Sequence, residues 1–187
     1  MPSSMTHLIA ARRIRPEGGA LYYIGNIAPD AVDEWHKKDA SHFRDLADRE
    51  PALVKLAKAT RGEFAEGVLL HLYVDWKWDA LVKRKFIEKT GDGWFLPYRR
   101  ELSLAGSHAF HSSDWIKQVW LDMIAADSGG YGATPYASVE DVREYIKSTY
   151  KWHTENNIGP SAAFPPEMIG EFVDQTADEY ACWRELI

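Results

Sequence analysis

The chain has one cysteine in 187 residues, Cys182. An internal disulfide is therefore impossible, and the pattern suits a reducing compartment. Without a neighbouring run of basic residues, Cys182 reads as a packed thiol and not a reactive one. Lys and Arg are also too thinly spread to form a phosphate-binding stripe, and the formal net charge is −6. Non-specific nucleic-acid binding by a basic surface is disfavoured on that ground. No stretch approaches the roughly 18 consecutive apolar residues of a membrane helix. The opening "MPSSMTHLIAARRIRPEGG" has no basic segment followed by an apolar core and a small-residue cleavage site, so the cytoplasm is the expected compartment. A nucleotide P-loop, a G-x-S-x-G elbow, a dinucleotide fingerprint and an adjacent His-Asp dipeptide are all missing. So are internal repeats and any series of alternating strands.

What remains is ordinary globular composition, 45% hydrophobic and 27% charged, with a helical period almost throughout. "MTHLIAARRI" reads as a first helix stopped by Pro16 and the Gly18-Gly19 pair, and "ALYYIGNIA" as a short buried helix ending at Pro29. Residues 30–40 look irregular. "SHFRDLAD" has the polar residues of a helix start, and "PALVKLAKA" continues after Pro51. "RGEFAEGVLLHLYVDWKWDALVKRKFIEKTG" predicts about eight continuous turns. Next come an aromatic loop at 92–98 leading into a helix, an amphipathic "SSDWIKQVWLDMIAAD", and a flexible connector at 128–137. A helix follows with Ser138 and Asp141 in capping-box spacing, then a final helix opened by prolines. The expected fold is all-α, a single-domain multi-helix bundle over residues 1–187. The eight Trp are spaced for packing between helices.

Within this pattern "LLHLYVDWKWD" places His71 and Asp75 four apart, on one face of a helix otherwise built for burial. Two chemistries fit that spacing: a private His–Asp hydrogen bond, or two ligands of one ion. Gly67 lies one turn earlier on the same face. It costs about 1 kcal/mol relative to Ala in a helix, and it would let another helix or an ion come close. His7 lies in the first apolar helix, Asp30 follows Pro29 at the edge of an apolar layer, and His42 sits at the "SHF" segment. Singly, these read as a core histidine, a cap and a first-turn surface residue. Together they form an imidazole and carboxylate set suited to Zn, Mn or Fe.

The order of His7, "IGNIAPD" with Asp30, "SHF" with His42, and "EGVLLHLYVD" with His71 and Asp75 resembles the bacterial zinc-dependent phospholipase C superfamily. Its fold is shared with single-strand-specific S1-type nucleases. The similarity extends to small uncharacterised bacterial members of about this length, and its motifs span residues 7–79. The resemblance implies that Asp30, His42 and His71 hold one metal, that Asp75 bridges to a second also held by His7, and that Asp30 is the general base. Two family features are missing. The secreted enzymes use their mature N-terminus as a ligand, whereas six residues precede His7 here. Their third metal uses another His and a later H-x-x-x-E pair, whereas no His lies between 76 and 107 and no H-x-x-x-E occurs. The nearest substitutes, His108, His111 and Asp114 in "SHAFHSSDW", are candidates to line the same cleft.

The expectation is a metal-dependent hydrolase, a phosphoesterase on a phosphodiester or phosphomonoester, with one or two ions of zinc or another divalent first-row metal. Its substrate would be a small-molecule or lipid-derived phosphoester. The alternative is a helical binding domain with a structural or vestigial metal site, using the 128–137 connector and the 92–98 loop as a partner surface. His36 reads as solvent-exposed. His153 sits near a helix end, where a positive imidazole is favourable.

Overall fold

The computed structural model describes residues 1–126, 132 and 134–187. Among these the fold is all-helical, with a single isolated bridge between Thr134 and Ala137 and no strand. No helix among the described residues is long and apolar enough to cross a membrane.

Helix α1 (Ser4–Ile14) begins where the Ser3 side chain accepts the Thr6 N–H, two residues before the expected start. After the Pro16 to Gly19 break comes α2 (Ala20–Ile27), apolar almost all round. It passes directly into a short 3-10 turn, Ala28–Asp30, which holds Pro29. The chain then forms α3 (Trp35–Ser41), α4 (Glu50–Ala59, with Pro51 in its first turn) and the central α5 (Glu63–Trp78). A π-helical turn, Asp79–Lys83, joins α5 to α6 (Arg84–Thr90), which Gly91 ends with φ 70°. The remainder is α7 (Phe95–His111), α8 (Asp114–Ala125), α9 (Val139–Glu155) and α10 (Pro166–Glu185). The Ser138/Asp141 capping box on α9 forms as its spacing predicts, with the shorter Asp in place of Glu or Gln.

Two expectations about this layout need correction. The "SHF" segment does not open a helix. His42 closes α3, donated to the site from a helix end, and residues 35–41 are helical instead of irregular. The eight-turn helix is interrupted by the π-helical turn, and Phe95 already belongs to α7, which shortens the aromatic loop. Of the 128–137 connector, residues 128–131 and 133 lie outside the described residues.

Helix α5 runs through the middle, in contact with α1, α2, α4 and α10. Its crossing with α2 is made close by two glycines. A Cβ at Gly67 would stand 2.1 Å from the Tyr22 carbonyl oxygen, and one at Gly25 would stand 2.0 Å from the Phe64 carbonyl oxygen. The backbones themselves therefore touch, and only glycine permits that. The approach anticipated at Gly67 is that of another helix. The core around this crossing includes Leu8, Ile24, Ile27, Leu70, Val74, Trp78 and Trp120, all at 0% exposure. Burial of that kind fixes the helices that carry a cluster of buried polar side chains.

Candidate metal centre

The close α2–α5 crossing brings the end of α2 over the middle of α5. The Asn26 carbonyl oxygen lies 2.8 Å from His71 Nδ1, and Asp30 follows one turn later. His7 arrives from α1 and stacks on the His71 ring with centroids 3.8 Å apart. His42 arrives from the end of α3, edge-on to His71 at 5.3 Å. All five of His7, Asp30, His42, His71 and Asp75 are 0–4% exposed. His42 is thus deeply buried, not a first-turn surface residue.

The hydrogen bonds decide how the two central imidazoles are protonated. His71 Nδ1 faces the Asn26 carbonyl oxygen, and His42 Nδ1 faces the Lys38 carbonyl oxygen at 2.7 Å. A carbonyl only accepts, so each Nδ1 carries the proton and donates it. In its neutral form each ring then has its lone pair on Nε2, and these two Nε2 atoms face each other at 3.2 Å. Burial, and next the neighbouring His7, push the His71 imidazole well below its usual range, so it does not take a second proton to relieve the contact. Around this pair, Asp30 Oδ1 is 3.7 Å from His42 Nε2 and 3.9 Å from His71 Nε2. Asp75 Oδ2 lies 3.5 Å from the first and 3.9 Å from the second. On the other side Asp75 Oδ1 is 3.4 Å from His7 Nε2.

Among the described residues two ligand groups result, Asp30 with His42 and His71, and His7 with His71 and Asp75. Both nitrogens of His7, Asp30 Oδ1, Asp75 Oδ1 and Asn26 Oδ1 are buried without a hydrogen-bond partner. An unsatisfied buried polar group costs about 1–3 kcal/mol, so this many at one place need an explanation. A cation in the first group accounts for Asp30 Oδ1, while Asp75 Oδ1 and a His7 nitrogen belong to the second group. Ligand bonds of about 2.0–2.1 Å at tetrahedral angles put donor atoms about 3.3 Å apart. The observed separations of 3.2, 3.7 and 3.9 Å in the first group match that or exceed it by a few tenths. The residues present fit a first-row divalent ion, and the backbone carbonyls on both Nδ1 atoms are the outer partners that orient ligating histidines.

Positive side chains already sit on the carboxylates. Lys38 Nζ is 3.1 Å from Asp30 Oδ1, though outside hydrogen-bonding geometry. Arg44 Nη2 donates to Asp75 Oδ2 at 2.5 Å, and its Nε donates to Asp79 Oδ2 at 3.1 Å. Arg49 donates to the same Asp79 oxygen at 2.9 Å. Burial alone would raise the Asp30 carboxyl, but the Lys38 ammonium, with the neighbouring imidazoles, holds it well below the carboxylate range. Asp75 behaves alike: burial would raise it, and Arg44 together with the Met1 amino group and the neighbouring imidazoles holds it low. Both are ionised at neutral pH. Neither Lys38 nor Arg44 belonged to the set expected from sequence.

Asp30 also lines a cleft of about 400 Å³ between the start of the chain, α7 and α9, with Arg99, Ser103, Tyr145, Ser148 and Thr149 on its walls. Asp30, its side chain 2% exposed, is the cluster residue that borders this cleft. His108, His111 and Asp114 do not share it. His108 faces a different, smaller cavity beside Ile9 and Pro160. His111 Nε2 lies 2.8 Å from the His153 carbonyl and 3.1 Å from that of Asn156, and holds the end of α9. Asp114 is fully exposed beside Lys117 at the start of α8. His108 and His111 lie on the last turn of α7 and Asp114 on the first of α8, and sequence adjacency to a histidine carried no information about the cluster.

Comparison with family models, with curated proteins and with solved structures finds no match.

Two further residues differ from expectation. His153 is 5% exposed and packs on Phe110, and burial followed by His111 lowers its imidazole to about 4, so it is neutral and not a charged helix-end residue. Cys182 is exposed on α10. His36 is exposed, as its charged surroundings suggest.

Proposed function

We propose that the protein is a metal-dependent hydrolase of phosphoric esters, built on one ion held by Asp30, His42, His71 and Asp75. The observation carrying this reading is the pair of buried Nε2 lone pairs 3.2 Å apart, flanked by two ionised carboxylates, one of which borders a cleft. Arg44 on Asp75 adds a positive charge where a second ion would share that carboxylate, which favours one ion over two. His7 then acts by stacking on His71 and facing Asp75 Oδ1. The donor set suits zinc, with manganese or iron as alternatives. The likeness of motif order to the zinc-dependent phospholipase C superfamily points the same way.

When bound, a divalent ion supplies Lewis-acid polarisation of a phosphoryl oxygen and of water at neutral pH. The chain's own groups do the rest. Asp30 stands at the boundary of cluster and cleft, where its carboxylate can orient an attacking water and accept its proton. Lys38 keeps that carboxylate ionised. The Asn26 and Lys38 carbonyls keep both imidazoles in the tautomer whose Nε2 faces inward.

The competing reading is a binding domain whose ion is structural. A structural site is closed on all sides, and the cleft at Asp30 is what argues against it. The experiment is zinc or manganese loading, followed by turnover assays on a phosphomonoester, a phosphodiester and a phospholipid. Metal-dependent turnover that is lost in His71→Ala supports the hydrolase. A fully loaded protein inert toward all three identifies the ion as structural.

A further inference from the structure

Beyond the cluster itself, the charges of the surrounding residues specify what the cleft accepts. Asp30 is matched by Lys38, Asp75 by Arg44, and Asp79 by Arg49. In these pairs the carboxylates are fully matched, and the Met1 amino group and Lys83 also reach Asp79 while Asp39 lies beside Arg44, so no carboxylate charge is left over for an ion. A divalent ion entering this buried set therefore brings about two positive charges with no local counterion, and such an imbalance is costly away from water. Whatever occupies the cleft side must supply negative charge.

The cleft wall meets that requirement. Arg99, on the first turns of α7, makes no ion pair among the described residues, although 28 acidic residues outnumber 22 basic ones in the chain. It lines the same cleft as Asp30. Burial and then the Asp30 carboxylate push the Tyr145 hydroxyl up while Arg99 pulls it down, so both charged groups act on one point of the cleft. Ser103, Ser148 and Thr149 also line the wall, the first two donating their hydroxyl protons to the Arg99 and Tyr145 carbonyl oxygens. A guanidinium without an acidic partner is the chemistry that grips phosphoryl oxygens. Pro2, Leu102 and Trp152 supply apolar parts of the same wall, so the charge of the ligand, and not the polarity of the cleft, is the ground for the choice of substrate.

We propose that this cleft binds a terminal phosphate dianion through Arg99, so that the substrates are phosphomonoesters and not phosphodiesters. The inference rests on the hydrolase reading and deepens it. A monoester carries the two negative charges the loaded site lacks, whereas a diester carries one. Arg99 is a binding and specificity residue in this scheme, and it takes no part in holding the ion.

The test uses zinc-loaded full chain, with inorganic phosphate as the calorimetric probe and p-nitrophenyl phosphate and bis(p-nitrophenyl) phosphate as substrates. Arg99→Gln is expected to retain the wild-type zinc content and melting temperature. It should bind phosphate at least 10-fold more weakly and raise KM for the monoester by a similar factor, with a much smaller change in kcat. Arg99→Lys should recover part of the phosphate affinity. Wild type should prefer the monoester over the diester by at least 10-fold in kcat/KM. Equal phosphate affinity in wild type and Arg99→Gln, or faster turnover of the diester, overturns the inference while leaving the metal-dependent hydrolase standing. Failure to take up zinc, manganese or iron removes the hydrolase reading and this inference with it.

Discussion

Replacing Asp75 by Asn keeps the shape of the side chain and removes its charge. Asp75 Oδ2 accepts from Arg44 at 2.5 Å, and the Arg44 side chain is only 10% exposed. With the carboxylate gone, Arg44 retains Asp79 at 3.1 Å and Asp39 at 3.8 Å, so its charge is weakened in support but not orphaned. A hydrogen bond to a charged group is worth about 1.5–3 kcal/mol, and that is the expected loss of stability in the metal-free protein. The cost arises whether or not Asp75 ever meets an ion, so a bare drop in stability decides nothing about metal. The metal-dependent increment does decide. An ion at 1,000-fold its Kd stabilises the folded chain by about 4 kcal/mol. Wild type should show an increment of that order between chelator and zinc in denaturant unfolding monitored by circular dichroism. Asp75→Asn should show almost none, because a neutral amide is a poor ligand where a carboxylate must balance the ion. A variant with the full wild-type increment would refute Asp75 as a ligand, and a metal-free loss below about 0.5 kcal/mol would refute the Arg44 ion pair.

The α2–α5 crossing gives a second expectation. Gly67→Ala puts a Cβ 2.1 Å from a backbone carbonyl oxygen, so two helix backbones must part by about 1 Å. It should cost about 3 kcal/mol in urea unfolding and, by loosening the Asn26–His71 bond, weaken zinc binding about 10- to 100-fold. A midpoint within error of wild type would contradict the geometry. His153 supplies a pH dependence. Its imidazole titrates near 4 when folded and near 6.5 when unfolded, so the unfolded chain binds more protons between those values and stability falls as pH drops through that window. The full effect is about 3 kcal/mol. His153→Phe should lose correspondingly less stability between pH 6.5 and 4, and identical slopes for the two proteins would show that His153 is not the group responsible.

The helical frame is legible because amphipathic segments such as "VEDVREYIKSTYKWHTE" carry a helical period, burying Val142, Ile146 and His153, and because caps such as Ser138/Asp141 act within four residues. His71 and Asp75 needed only the pitch of one helix to be placed together. The direction of α3 was not legible. Trp35–Ser41 carries five polar or charged residues in seven and has no apolar stripe, and what orders it is His42 seated against His71, 29 positions away. The counter-charges were hidden for the same reason. Arg44 and Lys38 look like ordinary solvated residues in sequence, and only the fold sets one on Asp75 and the other on Asp30. His153 reads as a terminal-turn residue until Phe110 and His111 cover it. Local pattern names the ligand types, and long-range packing decides their tautomers and charge partners.

The central claim is an ion between His42 and His71. The most direct measurement is an anomalous difference map, collected at the zinc absorption edge, from a crystal of zinc-supplemented protein. The account predicts one strong peak about 2.0–2.2 Å from His42 Nε2, His71 Nε2 and an Asp30 oxygen, with Asp75 completing the set. A map with no peak at that position, and the two imidazoles still 3.2 Å apart, would contradict it.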